Sequence, residues 1–200
     1  MSTVLTPTET APLVLHFGPI LKRMSDHDFF EFCQRNTDFR IERTSSGDLI
    51  IMPPTGGYTG RSNFKLSGLF YIWVEADGTG VGFDSSTGFT LPNGAERSPD
   101  VAWVKRARWE ALTEDEKIEF PPICPDFVIE LRSASDTLSK LQDKMQEYID
   151  NGAQLGWLID PKEKKVHIYR PNLAVEILDN PPSVSDSFLP GFVLLLHKVW

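Results

Sequence analysis

Cysteine is scarce in this chain: Cys33 and Cys124 are the two among 200 residues. They lie far apart and match neither a metal spacing nor a disulfide framework, so both read as small core residues and the protein as one of a reducing cytoplasm. Positive charge is also short, with 20 Lys and Arg against 28 Asp and Glu and a formal net charge of −8. That balance excludes coating of nucleic acid by bulk electrostatics, because non-specific affinity comes from Lys and Arg neutralising phosphates. Any contact with nucleic acid must be local. No apolar run reaches the ~18 residues of a membrane span, and "FVLLLHKVW" at the C-terminus is too short. "MSTVLTPTETAPLVLHF" lacks the basic start and long apolar run of a signal peptide. We therefore expect a soluble protein with no membrane partner. His16, His27, His167 and His197 are scattered, with no zinc spacing and no Ser-His-Asp pattern.

What is present suits one ordinary domain, since 40% of the residues are hydrophobic and a chain of this length buries a substantial core. Residues 1–20, rich in Thr and Pro, read as an N-terminal arm, and 21–200 as a single domain. "SDHDFFEFCQRN" predicts a short helix, with Ser25 and Asp28 at capping-box spacing and Phe29, Phe32 and Cys33 on one side. "FRIERTSSGDLIIMPP" predicts a hairpin turning at Ser46-Gly47-Asp48. "TGGYTG" is a turn leading into a helix whose apolar side is Phe64, Leu66, Leu69, Phe70 and Trp73. "VGFDSSTGFTL" and "SPDVAWV" are strand-like, "KRAR" and "TEDEKIEF" a polar excursion, and "PDFVIELR" the next strand. Asp136 to Asn151 is the clearest helix, with Leu138, Leu141, Met145, Tyr148 and Ile149 at helical spacing and Gly152 at its C-terminal end. "LGWLID" and "VHIYR" form a further hairpin. The order predicts an α/β or α+β domain around one mixed central β-sheet flanked by helices.

One strand carries an anomaly. Alternation in "PDFVIELR" sets Phe127, Ile129 and Leu131 on one face and Val128, Glu130 and Arg132 on the other. A carboxylate in such a strand is costly unless paired or bound to a cation. A buried Glu130–Arg132 ion pair is one solution. Asp100, at the start of "SPDVAWV", opens another: two carboxylates on neighbouring strands can converge on a hard divalent cation, which accepts one or two carboxylates plus water and phosphate oxygens. That is nuclease chemistry, and it calls for a nearby lysine.

"PD", a thirty-residue interval, then "E-x-R" resembles the PD-(D/E)xK nuclease signature, with arginine where lysine is expected. Together with "MPPTGG", "SPDVAWV", "PDFVIELRSASD", "LQDKMQEYIDNGAQLGWLIDP" and "VHIYRP", the chain resembles the Uma-type family of restriction-endonuclease-like proteins from residue 25 onward. The resemblance implies a restriction-endonuclease-like core and a Mg²⁺-dependent endonuclease acting on DNA, with Mn²⁺ as an alternative ion. Asp100 and Glu130 would be metal ligands and Lys144 the catalytic lysine, moved from the strand to the following helix. Arg132 would steady Glu130 or contact phosphate. At ~100° per residue Lys144 falls at the border of that helix's apolar face, with Lys140 farther toward solvent; a solvated helix lysine fits the same periodicity. DNA contacts would rest on patches such as Lys105-Arg106-Arg108 or Lys140-Lys144, and cutting both strands suggests a two-fold homodimer by analogy. The competing expectation is a binding or assembly module that keeps the fold without efficient chemistry.

Overall fold

Caps and turns divide the chain where the sequence provides them. The computed structural model describes residues 11–200. In chain order the elements are β1 (Leu13–Leu15), α1 (Pro19–Lys22), α2 (Asp26–Arg35), β2 (Arg40–Arg43), β3 (Leu49–Met52), α3 (Gly57–Asp77), β4 (Gly80–Asp84), β5 (Phe89–Thr90), β6 (Glu96–Arg97) and β7 (Val101–Lys105). There follow α4 (Arg106–Glu110), α5 (Glu114–Ile118), β8 (Phe127–Leu131), α6 (Leu138–Asp150), β9 (Leu155–Asp160), β10 (Lys165–Tyr169), β11 (Glu176–Asp179), β12 (Ser183–Val184), β13 (Leu194–Leu195) and a closing 3-10 turn at Leu196–Lys198. Ser25 caps α2 by accepting the Asp28 N–H at 3.1 Å, as its spacing predicts. Gly47, at φ 90°, turns the β2–β3 hairpin.

The expected mixed sheet has six strands in the order β11-β10-β9-β8-β7-β4. β8 and β9 run parallel, joined through α6, and the other neighbours are antiparallel. Beside it stands a second sheet that the sequence reading did not separate, five antiparallel strands in the order β1-β3-β2-β6-β5. β8 is buried along its whole length, and its two faces serve two cores. Phe127, Ile129 and Leu131 pack with Leu66, Phe70 and Val74 of α3 and with Phe192 and Leu194 near the C-terminus. Val128 packs with Met145, Tyr148 and Ile149 of α6. Period-two alternation therefore points Glu130 toward α6.

Three stretches differ from expectation. "VGFDSSTGFTL" is not one strand: the Asp84 carboxylate accepts the Ser86 N–H at 3.0 Å and its hydroxyl at 2.6 Å, turning the chain so that β5 joins the other sheet. The polar excursion holds two short helices, the second started by a reciprocal capping box between Thr113 and Glu116. Leu13–Leu15 of the expected arm adds an edge strand to β3; residues 1–10 of that arm lie outside the described residues. Among the described residues no helix is long and apolar enough to cross a membrane.

Candidate active site

Strand register brings the first two candidates together. Val101 pairs with Ile129 and Ala102 with Val128, so one step further Asp100 comes opposite Glu130. The Leu131 N–H donates to Asp100 Oδ2 at 2.8 Å, and Asn63 Nδ2 of α3 donates to Oδ1 at 3.1 Å. Asn63 Oδ1 is buried with no hydrogen-bond partner among the described residues.

The third candidate arrives from α6. Gly156 of β9 has no Cβ, and the Met145 methyl of α6 packs into the space one would take. Lys144, the preceding residue, then reaches in along the edge of the core. Its Nζ lies 2.8 Å from Glu130 Oε1 and 2.9 Å from Glu42 Oε1. Tyr148, one turn further along α6, donates its hydroxyl to the same Glu130 oxygen at 3.0 Å. Glu42 is itself fixed by Arg97 Nη1 at 3.2 Å and the Ser98 N–H at 3.0 Å. Arg97 also grips Glu147 at 2.6 Å. Arg40 Nη2 donates to the Ser98 carbonyl at 2.7 Å, while its Nε is buried and without a partner among the described residues.

These surroundings sort the carboxylates into two kinds. Burial would raise Glu42, but Lys144, Arg97 and the Ser98 N–H outweigh it and hold the carboxyl at about 2. Burial pushes Glu130 up to about 7 against the pull of Lys144, and the charges of Asp100 and Glu42 push the same way. Asp100 is also raised, mainly by burial, with the Leu131 N–H opposing. Burial alone would lower Lys144, yet Glu130 and Glu42 keep it above its ordinary value. Glu42 is thus the anchored acid that holds the lysine, and Asp100 and Glu130 are the acids that lack enough positive charge.

Among the described residues no three acid, His or Cys side chains form a metal-holding group. The site instead offers two carboxylates and one orphaned amide oxygen. That donor set fits a small hard cation that takes one or two carboxylates and completes its shell with water, and Asn63 Oδ1 could accept from such a water.

The family model described as "Uma2: Putative restriction endonuclease" matches residues 26–197. The chain belongs to the Uma2 family. The crystal structure of a protein titled "putative nuclease belonging to DUF820", from Anabaena variabilis, superposes on this Uma2 chain with a TM-score of 0.67 at 22% identity, covering 80% of this chain and 88% of the other. That likeness shows the fold to be shared. A comparison with curated proteins finds no match.

Arg132 departs from the sequence expectation. It does not pair with Glu130; its Nη1 lies 2.6 Å from Asp160 Oδ2, and Asp160 is fully buried. Its backbone carries the ladder one bond further, the Arg132 N–H donating to the Ile159 carbonyl at 2.9 Å, and the side chain takes Asp160 on the neighbouring strand in place of Glu130 on its own. The basic run is displaced as well. Lys105, Arg106 and Arg108 lie at the far end of β7, about 17 Å from Asp100 at ~3.4 Å per residue. There Lys105 covers the Phe188 ring, Arg106 donates to the Gly78 and Gly80 carbonyls, and Arg108 pairs with Asp126. Lys140 is exposed, as expected.

Sequence reasoning missed Glu42, Arg97, Asn63, Arg40 and the Tyr148 hydroxyl. One signal was present. "RIER" places three charged residues in a four-residue strand, and charge cannot be buried there without partners. On one face Glu42 joins the site; on the other Arg43 forms a buried pair with Glu96, Nε to Oε2 2.6 Å, that serves the fold. Tyr148 was hidden because its ring fits the apolar face that periodicity assigns to it.

Proposed function

We propose that this Uma2-family chain is a metal-dependent endonuclease that hydrolyses DNA phosphodiester bonds. The observation that carries the proposal is the placement of Asp100, immediately before β7 and held by the Leu131 N–H, beside Glu130 of β8, with Lys144 set against Glu130 and anchored by Glu42. Asp100 and Glu130 would hold a Mg²⁺ or Mn²⁺ ion, which when bound lowers the pKa of water and offsets charge on the scissile phosphate. Lys144, kept protonated, donates to the attacking water or a phosphate oxygen and stabilises the negative charge that builds in the transition state. In the metal-free protein both flanking carboxylates favour the ammonium. Tyr148 and Glu42 are positioning residues: one orients Glu130, the other fixes the lysine. DNA as substrate rests on the family description, and the acidic chain confines contacts to local groups.

The test is cleavage of supercoiled plasmid and of single-stranded DNA by purified protein with Mg²⁺, Mn²⁺ or EDTA. Nicking or linearisation that needs the metal is expected. Metal-independent DNA binding with no cleavage of either substrate would instead support a binding module on the nuclease fold.

A further inference from the structure

α3 is amphipathic in an unusual sense, because its outward side is also apolar. Its inner side buries Leu66, Phe70 and Val74. Diametrically outward lies Gly68, and around it Phe64, Tyr71 and Ile72 stand 81%, 62% and 67% exposed. Glycine in the middle of a helix costs about 1 kcal/mol relative to alanine. Nothing among the described residues asks for it: a Cβ at Gly68 would meet none of their atoms within 4 Å. The bare position is open to the outside, where it would let another helix backbone come close.

We infer that this face is a homodimer interface in which α3 packs antiparallel against α3 of a second copy, with the two-fold axis at Gly68. The sequence itself supplies the self-complementarity. In an antiparallel pair centred on Gly68, residues equally far before and after it face each other. Phe64, four before, meets Ile72, four after. Lys65 and Tyr71, three before and three after, flank this contact on opposite sides of the seam. Arg61, seven before, meets Glu75, seven after. At ~100° per residue all of these fall within about 60° of the Gly68 direction. Arg61 and Glu75 are exposed, and neither has an ion-pair partner among the described residues. A self-paired helix gives each charge an opposite and each apolar side chain an apolar neighbour, twice by symmetry.

Phe64, Tyr71 and Ile72 expose on the order of 400 Å² per copy, about half of the ~800 Å² per partner of a standard interface. The stems of Arg61, Lys65 and Glu75 and the flanking surface must cover the remainder. The dimer would also fix the relation of two candidate sites, because Asn63 of the same helix touches Asp100. Along the helix direction the two Asn63 residues would stand about 15 Å apart, five residues on either side of the axis at ~1.5 Å each.

Sedimentation velocity over a concentration series tests the pairing without reference to nuclease activity. Wild type should dimerise. Phe64→Asp should yield monomer that keeps the wild-type circular dichroism spectrum and still melts cooperatively, and so should Gly68→Gln, which blocks close approach while favouring the helix. Arg61→Glu and Glu75→Arg should each weaken the dimer by roughly tenfold or more through like-charge contacts. The double variant, which exchanges the charges, should regain wild-type association. A monomeric wild type, a dimer indifferent to Phe64→Asp, or a double variant no tighter than the singles would overturn the inference.

Discussion

Replacing Lys144 with methionine keeps the length of the side chain and removes its charge, which leaves Glu130 and Glu42 short of a shared partner. The two losses differ in kind. Glu130 has an escape: with its carboxyl already at about 7, it can take up a proton. The cost of that escape is about 1.4 kcal/mol for each pH unit above 7 and almost nothing at pH 6. Glu42 has no such escape near neutrality, but it keeps Arg97 and the Ser98 N–H. Its loss is that of one hydrogen bond to a charged group, about 1.5–3 kcal/mol. Together these give about 3 kcal/mol at pH 8 and about 2 kcal/mol at pH 6, where the Glu130 part is gone. For a chain of this length the pH 8 figure corresponds to a Tm lower by about 6–12 °C. Thermal melts in EDTA at pH 8 and pH 6 check the magnitude and its direction, with Lys144→Arg as a variant that keeps the charge. A Tm equal to wild type at pH 8, or a larger loss at pH 6 than at pH 8, would refute a lysine that bridges two buried acids.

Other perturbations separate the roles of the neighbouring groups. Arg132→Ala should cost about 3–5 kcal/mol by stranding buried Asp160, while Mn²⁺ affinity measured by calorimetry stays near wild type; loss of metal binding would return Arg132 to the site. Tyr148→Phe removes a donor to Glu130 and should lower the Tm at pH 8 by about 3–8 °C, an effect of roughly 1.5–2 kcal/mol, with little change at pH 5, where Glu130 is protonated. Glu42 is held at about 2 although burial alone would raise it, because Lys144 and Arg97 prevail; its stabilisation is present above the ordinary carboxylate range and lost as pH falls toward 2. Glu42→Gln should therefore destabilise markedly at pH 7 and narrow its gap to wild type during acid titration. For Glu130 the sign reverses: raised to about 7 by burial, it lowers the stability of the metal-free fold as pH rises from the ordinary range through 7, and metal must displace its proton below that. Mn²⁺ affinity should thus fall about tenfold per pH unit below 7 and level off above it.

Much of this was legible from local rules. The cap at Ser25, the turn at Gly47, the alternation of β8 and the apolar face of α6 each follow from spacing, and together they place Asp100, Glu130 and Lys144 on the elements where they are found. What could not be read locally depends on contacts far apart in sequence. Glu42 meets Lys144 across 102 positions, and nothing in "RIER" names its partner. Arg132 was misassigned because alternation gives the face of a side chain and not its partner: the acid it meets, Asp160, stands on the neighbouring strand, 28 positions away. The basic run at 105–108 looked available for phosphate; only the direction of β7 shows that it sits at the opposite end from Asp100. The second sheet escaped because β5 and β6 are two residues each, too short for any period to show.

The claim that Asp100 and Glu130 form a divalent-cation site is tested most directly by calorimetric titration of Mn²⁺ into metal-free protein at pH 8, for wild type, Asp100→Asn and Glu130→Gln. Each variant must first show a wild-type circular dichroism spectrum. The account predicts saturable Mn²⁺ binding by wild type and a loss of at least about tenfold in affinity in each variant, since each removes one of two anionic ligands. No binding by wild type, or unchanged affinity in both variants, would contradict it.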